Sequence, residues 1–200
     1  MMYKNVAISG LPGTGSTTLL RTLEKELGGW QAFSGGEFMR AYALEKKLFK
    51  PNQGLHHDSR HYEEDFDRKV DFGMREAVET KQHQILESWL AGFMSQGIPG
   101  VLKVLLTCEK SLRIDRIVNR DSIPVEEAKK NILEREEANL TKWSRMYQTQ
   151  WKEWVVDRGV LPEEAQIDFW HPNLYDLVID TYSNSKEDTA SLVLSKVAKL

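Results

Sequence analysis

The run Gly10-Leu11-Pro12-Gly13-Thr14-Gly15-Ser16-Thr17-Thr18 constrains this chain more than any other feature. It follows a compact apolar segment, Tyr3–Ser9, with the character of a strand buried on both faces. It precedes Ser16–Leu27, where Leu19, Leu20, Leu23 and Leu27 recur at helical spacing until Gly28-Gly29 ends the helix. A G-x-x-x-x-G loop, then a small residue and Thr, set between strand and helix, is the P-loop pattern. Its glycines let the backbone curl so that successive N–H groups face a phosphate. The helix N-terminus adds the positive end of its dipole. Thr17 stands where a hydroxyl ligates Mg²⁺, and Thr18 extends the donor set. One residue departs from the pattern: Ser16 takes the usual lysine position. A turn that only joins strand to helix would need neither three glycines nor the hydroxyl pair.

The remaining chain alternates strands and helices. Strands are expected at Trp30–Phe33, Gln84–Glu87, Val101–Cys108 and Asp176–Asp180. Helices are expected at Glu37–Leu48, Glu63–Val78, Ser88–Ser95, Leu112–Arg120, Val125–Trp154 and Glu187–Ala198, with a loop from Pro51 to His57. The long helix shows Val125, Ala128, Ile132, Leu140, Trp143, Tyr147 and Trp154 near a 3.6 period. This alternation predicts an α/β fold, a parallel sheet flanked by helices. Two charged, strand-free segments, about 36–82 and about 119–165, read as excursions from a single domain spanning 1–200.

Composition narrows the function. The chain has 27 basic and 30 acidic residues for a net charge of −3, which argues against a nucleic-acid partner. Its single cysteine, Cys108, excludes an internal disulfide and a multi-cysteine zinc site. No apolar run approaches the ~20 residues that span a bilayer. The expected setting is a reduced cytoplasm, without a membrane partner, as a monomer or small homo-oligomer.

A second pattern, Phe33-Ser34-Gly35-Gly36-Glu37-Phe38-Met39-Arg40, follows the P-loop. With it the chain resembles the nucleoside monophosphate kinases, most closely the archaeal-type cytidylate kinases. Further segments are similar in order: Asp67-Arg68-Lys69-Val70-Asp71, Leu86-Glu87-Ser88-Trp89-Leu90-Ala91-Gly92, Leu112–Ile117 with Arg120, Ile123–Ala128, Glu134-Arg135-Glu136-Glu137 and Tyr175–Thr181. The likeness covers about 1–147 and 172–200. It implies a P-loop kinase fold with an acceptor-binding insertion at about 36–82 and a lid at about 119–165. It also implies ATP and Mg²⁺ on Gly10–Thr18, and a nucleoside monophosphate, CMP or dCMP first, held by Ser34, Arg40, Asp67 and Asp71. Arg116, Arg120 and Arg135 would act as lid arginines over the phosphates, since a planar guanidinium binds two oxygens at once.

This chain departs from that family at Ser16, at Ser88-Trp89 where Gly-Arg is usual, at Lys142 in place of an arginine, and in a longer Gln148–Pro172. Two alternatives therefore stand beside a working kinase: a nucleotide-binding pseudokinase, and a P-loop kinase of another small metabolite. Other features read plainly. His56, His57 and His61 belong to a solvated loop. Trp143, Trp151, Trp154 and Trp170 pack the long helix and its return, Cys108 is a small buried hydrophobe, and Arg113 is a surface residue.

Overall fold

The computed structural model describes residues 3–45 and 62–197. Strands β1 (Asn5–Gly10), β2 (Gln31–Ser34), β3 (Gln84–Glu87), β4 (Val101–Thr107) and β5 (Leu177–Asp180) form one parallel sheet ordered β2-β3-β1-β4-β5. All six residues of β1 are buried, as a central strand requires. Val6 pairs in register with Ile85 on one side and Leu102 on the other. Successive β1 side chains serve opposite layers. Val6 and Ile8 join Leu19, Leu20 and Leu23 of α1 (Ser16–Glu26), together with Val193 of α8 (Lys186–Leu194). Ala7 joins Met74 and Val78 of α3 (Glu64–Thr80) and Ala91 of α4 (Ala91–Met94). This is the α/β architecture that the alternation of elements predicts.

Several boundaries differ from expectation for identifiable reasons. Helix α2 (Gly35–Glu45) begins directly at the end of β2, two residues earlier than expected. Its expected extension to Leu48, the loop from Pro51 to His57, and His56, His57 and His61 lie outside the described residues. Where Ser88–Ser95 was expected to be helical, only the single turn of α4 forms. Helix α5 (Lys110–Asp121) leads into α6 (Val125–Met146), which stops well short of Trp154. At Tyr147 the backbone leaves the helical region (φ −112°, ψ 21°), and the chain continues as α7 (Gln148–Trp151) and a π-helical turn, Lys152–Val156. From this break onward Tyr147, Trp151 and Val155 are buried.

They enter a second apolar cluster with Phe93, Leu105, Trp143, Phe169 and Tyr175. The segment after α6 is thus substantially apolar, although its sequence reads as a charged excursion. Val125 and Leu140, which fit the periodic face, are exposed instead. Helix α8 starts on a capping box made by Ser185 and Asp188 and ends at Leu194. No described helix is long and apolar enough to cross a membrane.

A buried amide ties the sheet to α3. Asn5 Nδ2 donates to the carbonyls of Val78 (3.1 Å) and Lys81 (2.9 Å), and its Oδ1 accepts from the Gln84 N–H (3.0 Å). Asn5→Ala leaves these buried backbone groups unpaired and should cost about 1–3 kcal/mol in denaturant unfolding. A change below about 0.5 kcal/mol would show that water replaces the amide there.

Candidate active site

The loop between β1 and α1 is held open by its own backbone chemistry. Gly13 (φ 86°) and Gly15 (φ 93°) are left-handed. A Cβ on Gly13 would lie 2.6 Å from the Arg113 carbonyl oxygen, so the position admits no side chain. Gly15 caps α1 without a side-chain hydrogen bond, leaving the N–H groups of the first turn available to a ligand. Meanwhile the loop carbonyls are claimed by side chains, one from the loop itself and three from other elements. Thr14 Oγ1 donates to Leu11 O (2.8 Å), Arg113 Nε to Pro12 O (2.8 Å), Arg116 Nη1 to Gly13 O (3.0 Å) and Thr181 Oγ1 to Thr14 O (2.9 Å).

Arg113 is therefore no surface residue. It is buried and also pairs with Glu136 of α6. Helical spacing placed it outside because its partners come from a loop 101 residues away and from another helix. Arg116 further donates to Thr181 O (2.8 Å) and Thr181 Oγ1 (3.0 Å). Cys108 is half-buried, and its Sγ accepts weakly from Arg116 (3.5 Å), so it is more than a packing residue.

This loop floors a cleft of about 640 Å³. Of Gly10–Thr18, every residue but Leu11 lines it, with Thr17 and Thr18 exposed at its edge. Glu87, at the end of β3, is buried in its wall. Its two carboxylate oxygens accept from Ser16 Oγ (2.7 Å) and Ser34 Oγ (2.6 Å), so one side chain joins the phosphate loop to the end of β2. The cleft is also lined by Arg40, Arg116, Arg120 and Arg135. Arg120 is largely exposed and forks onto Asp121 (2.7 and 2.8 Å). Lys186, Tyr182 and the loop before α8 complete the wall; sequence reasoning passed over them. Their signal was position alone, just beyond the carboxyl end of a parallel strand.

A second cavity of about 90 Å³ adjoins the cleft, and both are lined by Gly36, Ser88, Trp89 and Arg135. Asp67 and Asp71 lie in this smaller cavity, with Tyr62 and Trp143, and do not reach the cleft. Asp67 is buried and accepts from Lys142 Nζ (2.8 Å), so Lys142 pairs within the cavity wall and does not project over the phosphate loop. Asp71 accepts from the Tyr147 hydroxyl (2.6 Å). Burial pushes the Asp71 carboxyl up to about 7; the Tyr147 bond opposes the shift and Asp67 adds to it. Burial likewise raises Asp67 against the pull of Lys142. Trp143 and Trp151 are buried and Trp170 partly so, all in the second apolar cluster; Trp143 alone of these lines the cavity.

Among the described residues, no three His, Cys, Asp or Glu side chains form a metal-binding group. A divalent ion here would be held by the Thr17 hydroxyl, phosphate oxygens and water. Mg²⁺ is commonly bound in that way.

A family model described as an AAA domain matches residues 6–142. A cytidylate kinase of Methanopyrus kandleri is 32% identical over 98% of this chain and 93% of its own length. A cytidylate kinase of Methanosarcina barkeri is 29% identical over 88% and 86%. Among solved structures, a gluconokinase from Sinorhizobium meliloti 1021 superposes with a TM-score of 0.51 at 12% identity, covering 98% of this chain and 91% of its own; it supports the fold alone.

The Asp71 environment has a pH signature. Its carboxyl keeps its proton in the fold up to about 7, against about 3.9 in an unfolded chain. The folded state thus binds more protons between those values, and this group's contribution to stability falls as pH rises through them. In Asp71→Asn that contribution is gone. Denaturant unfolding from pH 4 to 8 should show the variant gaining on the parent until about pH 7, then running parallel. Parallel curves throughout would place Asp71 in contact with water.

Proposed function

Since the chain belongs to the cytidylate kinase-like branch of the P-loop nucleoside monophosphate kinases, we propose that it transfers the terminal phosphoryl group of ATP to CMP or dCMP. The observation that carries this reading is the pair of adjoining cavities, one floored by the phosphate loop and one lined by the carboxyls of buried Asp67 and half-buried Asp71.

In this reading the N–H groups of Gly13–Thr18 hold the ATP phosphates, and the Thr17 hydroxyl would hold Mg²⁺, which would supply neutralisation of phosphate charge. The chain's own groups do the positioning, because phosphoryl transfer needs alignment and charge stabilisation more than covalent help. Arg40 grips the acceptor phosphate from α2. Its guanidinium lies close to Gly36, where a Cβ would come within 3.5 Å of Nη1. An acceptor phosphate oxygen attacks the γ-phosphorus of ATP, the bond to the bridging oxygen breaks, and ADP departs with that electron pair. Arg120 and Arg135 stabilise the charge spreading over the transferred group, and closure over it excludes water. Arg116, committed to Gly13 and Thr181, acts by shaping the loop.

The smaller cavity supports a pyrimidine acceptor, which has one ring to seat. One Asp67 oxygen, Oδ1, is buried with no partner among the described residues and can accept from an exocyclic amine. Asp71 retains a proton near neutral pH and can donate to an unprotonated ring nitrogen. Cytosine offers that pair of groups; uracil offers the reverse.

A coupled assay with ATP, Mg²⁺ and CMP, dCMP, UMP, AMP and GMP tests the reading, with CMP or dCMP expected to lead. Turnover of purines alone, or of none despite ATP binding, would refute it. Arg40→Ala should lower acceptor kcat/KM by roughly tenfold or more while ATP affinity holds, as expected when one charge-assisted contact is lost. An equal loss for both nucleotides would give Arg40 a role in the fold.

A further inference from the structure

Arg135 is the one lid arginine that lines both cavities, and its setting is aromatic. Its guanidinium carbon lies over the Trp89 ring, 4.9 Å from the centroid. Trp89 is itself fixed from two sides. Trp143, eight residues after Arg135 on α6, meets it edge-on with centroids 5.5 Å apart. Trp170 packs against it edge-on at 6.1 Å, and its Nε1 donates to the Trp89 carbonyl (3.0 Å). A guanidinium over an indole face is attracted by the ring's negative quadrupole, and its N–H groups, lying in the guanidinium's own plane, point away from the ring toward its edges, where phosphate oxygens can bind.

We propose that Trp89 is a positioning residue for phosphoryl transfer: clamped by Trp143 and Trp170, its indole face holds Arg135 at the junction of the two cavities, where donor and acceptor phosphates meet. The inference rests on the kinase reading and adds what that reading leaves open. It assigns a function to the aromatic return after α6. Trp170 reaches back from that return to set the ring on which a phosphate-binding cation rests. A side chain at 89 that contacted nucleotide directly would act independently of Arg135; a ring that acts through Arg135 cannot.

A double-mutant cycle separates these cases. Trp89→Leu, Arg135→Met and the double variant are compared for kcat, KM of each nucleotide and CMP affinity by calorimetry, with Trp89→Phe and Trp170→Phe alongside. Trp89→Leu should lower kcat by about five- to thirtyfold, the range between losing an exposed and a desolvated cation–aromatic contact, with the ATP KM little changed. The double variant should be no slower than Arg135→Met alone. Trp89→Phe, which keeps an aromatic face, should recover most of the loss. Trp170→Phe, which removes the clamp's N–H donor, should fall between parent and Trp89→Leu.

Losses that multiply across the cycle would overturn the proposal, as would a Trp89→Phe variant as slow as Trp89→Leu with the parent's thermal midpoint. A parent protein that binds CMP without converting it defeats the kinase reading alone; the same cycle in CMP affinity then decides for or against Trp89. A parent that binds no monophosphate defeats both.

Discussion

The architecture depends on what happens to four consecutive carbonyl groups. Leu11, Pro12, Gly13 and Thr14 each have their carbonyl oxygen engaged by a donor, from Thr14, Arg113, Arg116 and Thr181 respectively. A peptide whose carbonyl is held outward presents its N–H to the opposite side. Left-handed Gly13 and Gly15 permit the sequence of turns this requires. The anion-binding concavity is thus built by satisfying the oxygens as much as by placing the nitrogens. Two arginines give much of their hydrogen-bonding capacity to this construction: Arg113 from outside the cleft and Arg116 from its wall, where Arg40, Arg120 and Arg135 also stand.

Glu87 adds a second constraint. With Ser16 on one oxygen and Ser34 on the other, it keeps the start of α1 and the start of α2 at a set separation. Ser16, at the position the usual loop gives to lysine, is thereby tied to the buried acid at the end of β3. Below them, two of the apolar clusters divide much of the work: one fills the space between the sheet and α1 with α8, and another fastens α4 and β4 to the aromatic return after α6.

What could be read from sequence was local. The strand, loop and helix around Gly10–Thr18 follow from periodicity and glycine placement within a few residues of one another. The five strands likewise carry their own apolar signature. Pairings across long separations were invisible. Arg113 looked like a surface residue because its partners, Pro12 and Glu136, lie on other elements. Lys142 fitted a lid pattern, but its partner is Asp67, 75 residues earlier. Tyr147 fitted a helical stripe that the structure interrupts, because its hydroxyl reaches Asp71 and its ring enters the core. Asp67 and Asp71 belong to the site through the family resemblance, which does not reveal that they line a separate, smaller cavity.

The bond from Thr181 to the Thr14 carbonyl spans 167 residues of chain. During synthesis β1, the loop and α1 emerge well before the groups that secure the loop. Arg113 and Arg116 arrive about a hundred residues later, and Thr181 follows β5. A ribosome-bound chain short of that strand holds every glycine of the motif without the scaffold that shapes it. Securing all four loop carbonyls consequently waits until Thr181 has been made, so the phosphate loop takes its full set of supports only after β5 is in place.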